Sequence, residues 1–156
     1  MIFLHAVQTI ADVELLRRIR NECASWMTNT TTPISIDDQV KWWTYLDRSK
    51  VACYLASAMC GPFDRGMMAW PVGFVVFATK EDGKLWITYG LTEEKRGQRW
   101  GPQLIEATQK MYREETWAEV LDINFASLAT LQKCGYTVEG CASNSRRTIL
   151  KWQPSV

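Results

Sequence analysis

Six residues, Arg96-Gly97-Gln98-Arg99-Trp100-Gly101, set two guanidinium groups and two glycines between an apolar run and a helical pattern. Glycine lets backbone approach a ligand with no Cβ in the way. The first N–H groups of a helix are unpaired and lie at its partly positive end. Arginines beside such a start add charge-assisted bonds to an oxyanion. The stretch therefore predicts a cradle for phosphate or pyrophosphate where a helix opens. Pro102 suits the first helical position, since its φ is already helical and its missing N–H is harmless there. Taken alone, the stretch also fits a solvated basic turn that opens a helix.

The other reactive residue types mostly exclude chemistries. His5 is the single histidine, which leaves no histidine-based triad and no multi-histidine metal site. The five cysteines, Cys23, Cys53, Cys60, Cys134 and Cys141, are odd in number, widely spaced and without a CxxC pair. That pattern argues against a disulfide framework or a zinc site and predicts reduced thiols in a cytoplasmic protein. A net charge of +1 gives no global attraction to nucleic acid or anionic lipid. The opening "MIFLHAV" is too short and lacks the basic flank of a signal peptide, and no run of about 18 apolar residues occurs. A soluble chain without membrane partners is expected. The eight tryptophans are read as core and groove packing.

The elements that must position the cradle follow from periodicity. The 156 residues form one expected domain, 1–156, with no repeat, linker or low-complexity tract. "IFLHAV" reads as a strand. From Asp12, the apolar positions Val13, Leu16, Ile19, Cys23 and Trp26 recur at helical steps. "TNTTTP" stops that helix. Ser35 is a suitable N-cap for a second one, "SIDDQVKWWTYL", with Asp37 and Asp38 in its first turn. "VACYLASA", "PVGFVVFAT" and "KLWITYGLT" read as strands, the last two joined at Asp82-Gly83, a favoured pair for a two-residue hairpin turn. "CGPFDRGMMAW" reads as a loop. After the cradle come a helix over about Pro102–Glu114, a strand "AEVLDI" and a helix "FASLATLQK" closed by Gly135. Strands over about Tyr136–Glu139 and Thr148–Trp152 end the chain. The order β-α-α-β-β-β-α-β-α-β-β predicts a mixed α/β class, with helices flanking a mostly antiparallel sheet that has one parallel crossover.

In that order, the strand, "RGQRWG", helix, strand with "EV" and "NFASLATLQKCGY" resemble the GNAT superfamily of acyl-CoA-dependent N-acetyltransferases. The family's loop, Arg/Gln-x-x-Gly-x-Gly/Ala, corresponds to Arg96–Gly101. Its later Asn-x-x-(Ala/Ser) and aromatic-ended glycine pair correspond to Asn124, Ser127, Gly135 and Tyr136. "LRRIRN…WMTN…IS…DDQVKWW" is similar to the family's paired N-terminal helices, so the likeness spans nearly the whole chain. It implies a splayed central sheet and acetyl-CoA as cosubstrate. The pantetheine arm would pair with the backbone of Tyr89, Gly90 and Leu91, with Thr92 and Glu93 at the strand end. The pyrophosphate would rest on Arg96, Gly97, Gln98, Arg99, Trp100 and Gly101. Asn124 and Ser127 would add polar contacts, although both also fit as the cap and first turn of a helix.

Acetyl transfer to an amine needs a neutral amine, a polarised carbonyl and a proton for the departing thiolate. A backbone N–H near Leu91 can polarise the carbonyl. Glu119, five residues before Asn124, matches the Glu-Val-x-x-x-Asn spacing of acetyltransferases that act on protein N-termini, where that glutamate is the proposed base. Tyr89, Glu93 and Asp122 are further candidates. Two departures from the family pattern stand out. Arg99 replaces the middle loop glycine, which costs about 1–2 kcal/mol if the position requires positive φ. Leu131 stands where a tyrosine often protonates the thiolate, so Tyr136, Tyr89 or water must supply that proton. A buried thiol is the expected role of Cys134.

The acceptor is expected between the first two helices, their loop and the closing hairpin. Trp26, Trp42, Trp43, Tyr45 and Asn29, with Arg17, Arg20, Arg146 and Arg147, line these segments. They suit a flat or anionic primary amine, such as an amino sugar or nucleobase, at least as well as a peptide. Two other readings stay open: a degenerate fold that binds CoA or a partner without turnover, motivated by Arg99 and Leu131, and a nucleic-acid acceptor. A homodimer is also left open.

Overall fold

The computed structural model describes residues 1–60, 68–142 and 146–155. Most of the expected loop over 60–70 lies outside the described residues, although Met68–Trp70 already belong to a strand. The chain runs β1 (Ile2–Ala6), α1 (Ile10–Glu22), α2 (Ile36–Tyr45), β2 (Val51–Cys60), β3 (Met68–Thr79), β4 (Leu85–Leu91), α3 (Trp100–Met111), β5 (Thr116–Leu121), α4 (Phe125–Lys133), β6 (Thr137–Cys141) and β7 (Arg147–Trp152). This is the expected order. The seven strands described lie in the spatial order β1-β2-β3-β4-β5-β7-β6. Every neighbouring pair is antiparallel except β4 with β5.

Local chemistry fixes most helix starts. Thr9 and Asp12 form a capping box, each bonding the other's backbone at the head of α1. Ser35 caps α2 through the Asp38 N–H at 3.2 Å, as expected. The apolar stripe of α1 buries Val13, Leu16 and Ile19 against Leu55 and Phe74 on one face of the sheet. On the other face, Val75, Phe77 and Ile87 pack with Ile105 and Leu131 of α3 and α4. Each fully buried side chain of this size contributes about 1.5–3 kcal/mol.

Several boundaries differ from expectation. α1 stops at Glu22, and Trp26 falls in a separate single turn, Ala24–Trp26, where it is 42% exposed. The Asp82-Gly83 hairpin has a three-residue loop rather than two, because Lys80 N–H bonds the Lys84 carbonyl and Gly83 takes φ 77 after a turn closed onto Lys80. α3 ends at Met111 instead of reaching Glu114.

Near the centre of the sheet β3 carries an extra residue, Val72, between Pro71 and Gly73. A proline is tolerated at such a bulge because its missing N–H falls where the ladder is already interrupted. Gly73 lies opposite Leu91, and a Cβ there would come 2.1 Å from the Gly90 carbonyl oxygen. Position 73 therefore has no room for a side chain beside the end of β4, where the candidate site begins.

Candidate functional site

β4 and β5 pair only over Leu85–Ile87 with Thr116–Ala118. Beyond these residues the two strands part. Successive residues of a strand turn their N–H and C=O groups to opposite edges. Between Thr88 and Leu91, the groups not directed at β3 therefore have no strand partner on the β5 side. Side chains alternate as well: Ile87 and Tyr89 face the α3–α4 core, and Thr88 faces α1 and α2.

The gap opens into a cleft of about 580 Å³, walled by the end of β4, the loop into α3 and the start of α4. Of the residues expected to bind a cofactor, it gathers Tyr89, Gly90, Leu91, Arg96, Gly97, Arg99, Trp100, Gly101, Asn124 and Ser127. Thr92, Glu93 and Gln98 do not line it. The Gln98 amide bonds the Glu94 carbonyl at 2.7 Å, and Glu93 N–H bonds the Glu22 carboxylate at 2.6 Å. The Thr92 hydroxyl is shielded from solvent without a partner.

The loop's backbone has the conformation its glycines suggest. Gly97 takes φ 71, and Arg99, the N-cap of α3, takes φ 63 and ψ 18. Among the described residues, Arg99 is the only non-glycine with positive φ. The left-handed region costs a side-chain-bearing residue about 1–2 kcal/mol, and no side chain caps the α3 N-terminus. Its first N–H groups are thus left to the cleft, where a helix favours an anion. Pro102 is the third helical residue, not the first, because the helix already starts at Trp100. Gly101 has a packing reason for its size: a Cβ would lie 3.2 Å from the Thr130 side chain of α4.

Arg96 has a structural attachment that local sequence does not reveal. Its Nη2 donates to the Glu22 carbonyl at 2.7 Å and to Cys23 Sγ at 3.4 Å, fastening the loop to the C-terminus of α1, where a cation suits the helix dipole. Cys23 in turn donates to the Leu91 carbonyl at 3.3 Å. Burial pushes its thiol up, against the opposing pull of Arg96, so it remains a neutral packing group. Burial likewise raises the Cys134 thiol.

At the floor of the cleft, Asn124 caps α4 by accepting from Ser127 N–H at 3.2 Å. The Ser127 and Tyr89 hydroxyls share a hydrogen bond of 2.7 Å. Burial pushes the Tyr89 phenol up to about 12, and the Ser127 bond opposes that shift. Tyr136 is not brought into the cleft. It is 3% exposed within the α3–α4 core, and its hydroxyl pairs with Thr116 Oγ1 at 2.7 Å. Leu131 is fully buried in the same core.

A narrower space of about 50 Å³ continues between the parted strands, bounded by Thr88 and Tyr89 on one side and Glu119 on the other. Arg147 Nη1 contacts Glu119 at 3.3 Å, and Arg147 Nη2 donates to the Thr28 carbonyl at 2.5 Å. This bridge ties β5 and β7 to the loop after α1. Asp122 accepts from the Thr148 hydroxyl at 2.6 Å and lies outside these spaces.

A third space, of about 520 Å³, lies between α1, α2 and the sheet. Of the residues expected to bound an acceptor, Arg20, Asn29 and Trp42 line it. Trp43 instead packs into the core under Arg48, Arg17 pairs with Glu14 at 2.7 Å, and Tyr45 is 80% exposed. Met27 walls all three spaces and Thr88 the latter two, so the spaces adjoin in sequence. Sequence reasoning missed Met27 and Thr88. The one available signal was the polar Thr88 inside an apolar strand, since Met27 keeps the helical spacing from Cys23.

No protein-family model matches the sequence, and no curated protein does. Solved structures match the fold over nearly the whole chain. A domain from Methanocaldococcus jannaschii aligns with TM-score 0.79 at 14% identity, covering 97% of each chain. Spermidine N-acetyltransferase from Vibrio cholerae, solved with CoA and spermine, aligns with TM-score 0.75 at 11% identity, covering 96% of this chain and 92% of that one. An aminoglycoside acetyltransferase solved with coenzyme A aligns with TM-score 0.77 at 14% identity, covering 98% and 95%. The chain has the GNAT-type acetyltransferase fold.

Proposed function

We propose that the protein is an acyl-CoA-dependent N-acyltransferase that moves the acetyl group of acetyl-CoA to a primary amine. One observation carries this reading: unpaired backbone at the end of β4 and the uncapped N-terminus of α3 open into the same cleft. The chemistry of coenzyme A fits both features. Its amide-rich pantetheine arm suits a strand edge whose N–H and C=O groups have no strand partner, the Leu91 carbonyl being held only by the Cys23 thiol. Its pyrophosphate suits Gly97, the first α3 amides and the Arg99 guanidinium. The neighbours of this fold that were solved with CoA support the same reading.

The residues then divide the work as follows. The β4 backbone near Leu91 holds the thioester and polarises its carbonyl. The acceptor amine, entering from the α1–α2 side past Thr88, attacks the carbonyl carbon. An N–C bond forms, the C–S bond breaks, and sulfur leaves with the bonding pair. Glu119 takes the surplus amine proton through water, held in place by Arg147. Tyr89 hydrogen-bonds the departing thiolate as a neutral donor. With its phenol near 12 and a thiol near 8.5, full proton transfer would be uphill by about 5 kcal/mol. The thiolate therefore takes its proton from solvent.

The test is thiol release followed with a chromogenic reagent, using acetyl-CoA and a panel of primary amines. Amine-dependent release with a matching acetylated product is expected. Coenzyme A binding without release for any amine would leave a binding cleft and no enzyme.

A further inference from the structure

The cavity between α1, α2 and the sheet carries an unmet positive charge. Leu16, Phe74 and Val76 give it an apolar floor, and Trp42 an aromatic wall. Thr28, Asn29, Thr30, Thr32 and Thr88 add polar groups around Arg20, Asp38 and Gln39. Arg20 Nη2 donates to the Thr30 carbonyl at 3.2 Å, but Nη1 of the same guanidinium is shielded from solvent and has no acceptor. Gln39, 3% exposed, presents Oε1 with no donor. Native proteins leave few such atoms unpaired, and a bound molecule is one way of satisfying them. Burial lowers the pKa of Arg20, yet a guanidinium keeps its charge inside proteins. Asp38, the cavity's other charged side chain, is exposed at the rim and accepts from the Ser35 hydroxyl at 2.8 Å.

We propose that this cavity selects acceptors bearing a carboxylate, so that the substrate is a small amino acid rather than a simple amine. The carboxylate accepts from Arg20 Nη1, an N–H or O–H of the same molecule donates to Gln39 Oε1, and an apolar or aromatic body lies along Phe74 and Trp42. The amine then points toward Thr88 and Met27, which also wall the space beside Glu119. A polyamine would set ammonium groups against Arg20 and leave Nη1 unpaired, so like charge excludes it. A volume of about 520 Å³ suits a single small molecule and is too little for a folded partner. This inference rests on the acyltransferase reading, but its binding test needs no acetyl donor.

Calorimetry of the intact protein with L-phenylalanine, L-tryptophan and 4-aminobutyrate, each against its carboxamide, decides the point. At least one acid is expected to bind saturably and at least tenfold more tightly than its amide. Arg20→Gln and Gln39→Glu should each remove that preference while coenzyme A titrates as in the wild type. No saturable heat from any acid, equal binding of acid and amide, or unchanged preference in both variants overturns the proposal. If the acids bind and coenzyme A does not, the carboxylate site stands and the acyltransferase reading falls.

Discussion

Tyr89 and Ser127 join hydroxyls at 2.7 Å, linking β4, at the point where it leaves β5, to the first turn of α4. Asn124 extends the chain by accepting from Ser127 N–H, so one hydrogen-bonded thread crosses the floor of the cleft. Tyr89→Phe should cost about 1 kcal/mol of stability, the usual worth of one such bond. It should lower kcat about tenfold and leave coenzyme A affinity within a factor of three. Urea unfolding and steady-state kinetics check this, and an unchanged kcat removes Tyr89 from the chemistry.

The same residue gives a pH dependence. Burial raises the Tyr89 phenol from its ordinary value near 10 to about 12, and burial also raises Tyr136. The folded state then holds protons that the unfolded chain releases above about pH 10. The stability Tyr89 contributes is fully present below pH 10 and is lost as pH rises through 12, and that of Tyr136 persists to higher pH. Thermal midpoints should therefore fall between pH 10 and 12, and the fall should be shallower in Tyr89→Phe.

Arg99 combines an unfavourable backbone conformation with a place at the mouth of the cleft. Replacing it with glycine removes the left-handed penalty and leaves an acceptable N-cap residue. Arg99→Gly should gain about 1 kcal/mol, which raises Tm by about 2–4 °C in a domain of this length. Its coenzyme A affinity should fall at least about tenfold, since a charge-assisted bond of about 1.5–3 kcal/mol is lost. Calorimetry and thermal melts together read this opposite movement of stability and binding.

Glu119 faces the space between the parted strands and is held by Arg147 at 3.3 Å. Glu119→Gln keeps the shape and removes the proton acceptor. A loss of about 10²-fold in kcat at neutral pH is expected, in the range for general bases, with coenzyme A binding unchanged. A rate near that of the wild type at pH 7 would take Glu119 out of the mechanism.

Element types were legible wherever pattern is local. The periodicity of Val13, Leu16 and Ile19, the Ser35 cap and the glycines of the loop at 96–101 foretold α1, α2 and the strand-to-helix junction. The side chains were less legible, because their directions depend on contacts remote in sequence. Arg96 reaches the Glu22 carbonyl, 74 residues away, and that attachment can be seen only once α1 lies beside the loop. Tyr136 follows a glycine at the end of α4, and it was expected, with Tyr89 or water, to replace the proton donor missing at Leu131. Packing instead turns it into the core, onto Thr116. The adjoining of three spaces at Met27 depends on how β4 and β5 diverge, and strand periodicity carries no information about divergence.

Isothermal titration with coenzyme A tests most directly whether the unpaired end of β4 and the head of α3 form one ligand site. A saturable one-to-one isotherm is expected, with a dissociation constant between about 1 µM and 1 mM, the usual range for enzyme substrates. A concentration 100 times that constant should add about 2.7 kcal/mol to the stability of the fold. Absence of both heat and thermal upshift at millimolar coenzyme A would contradict the account.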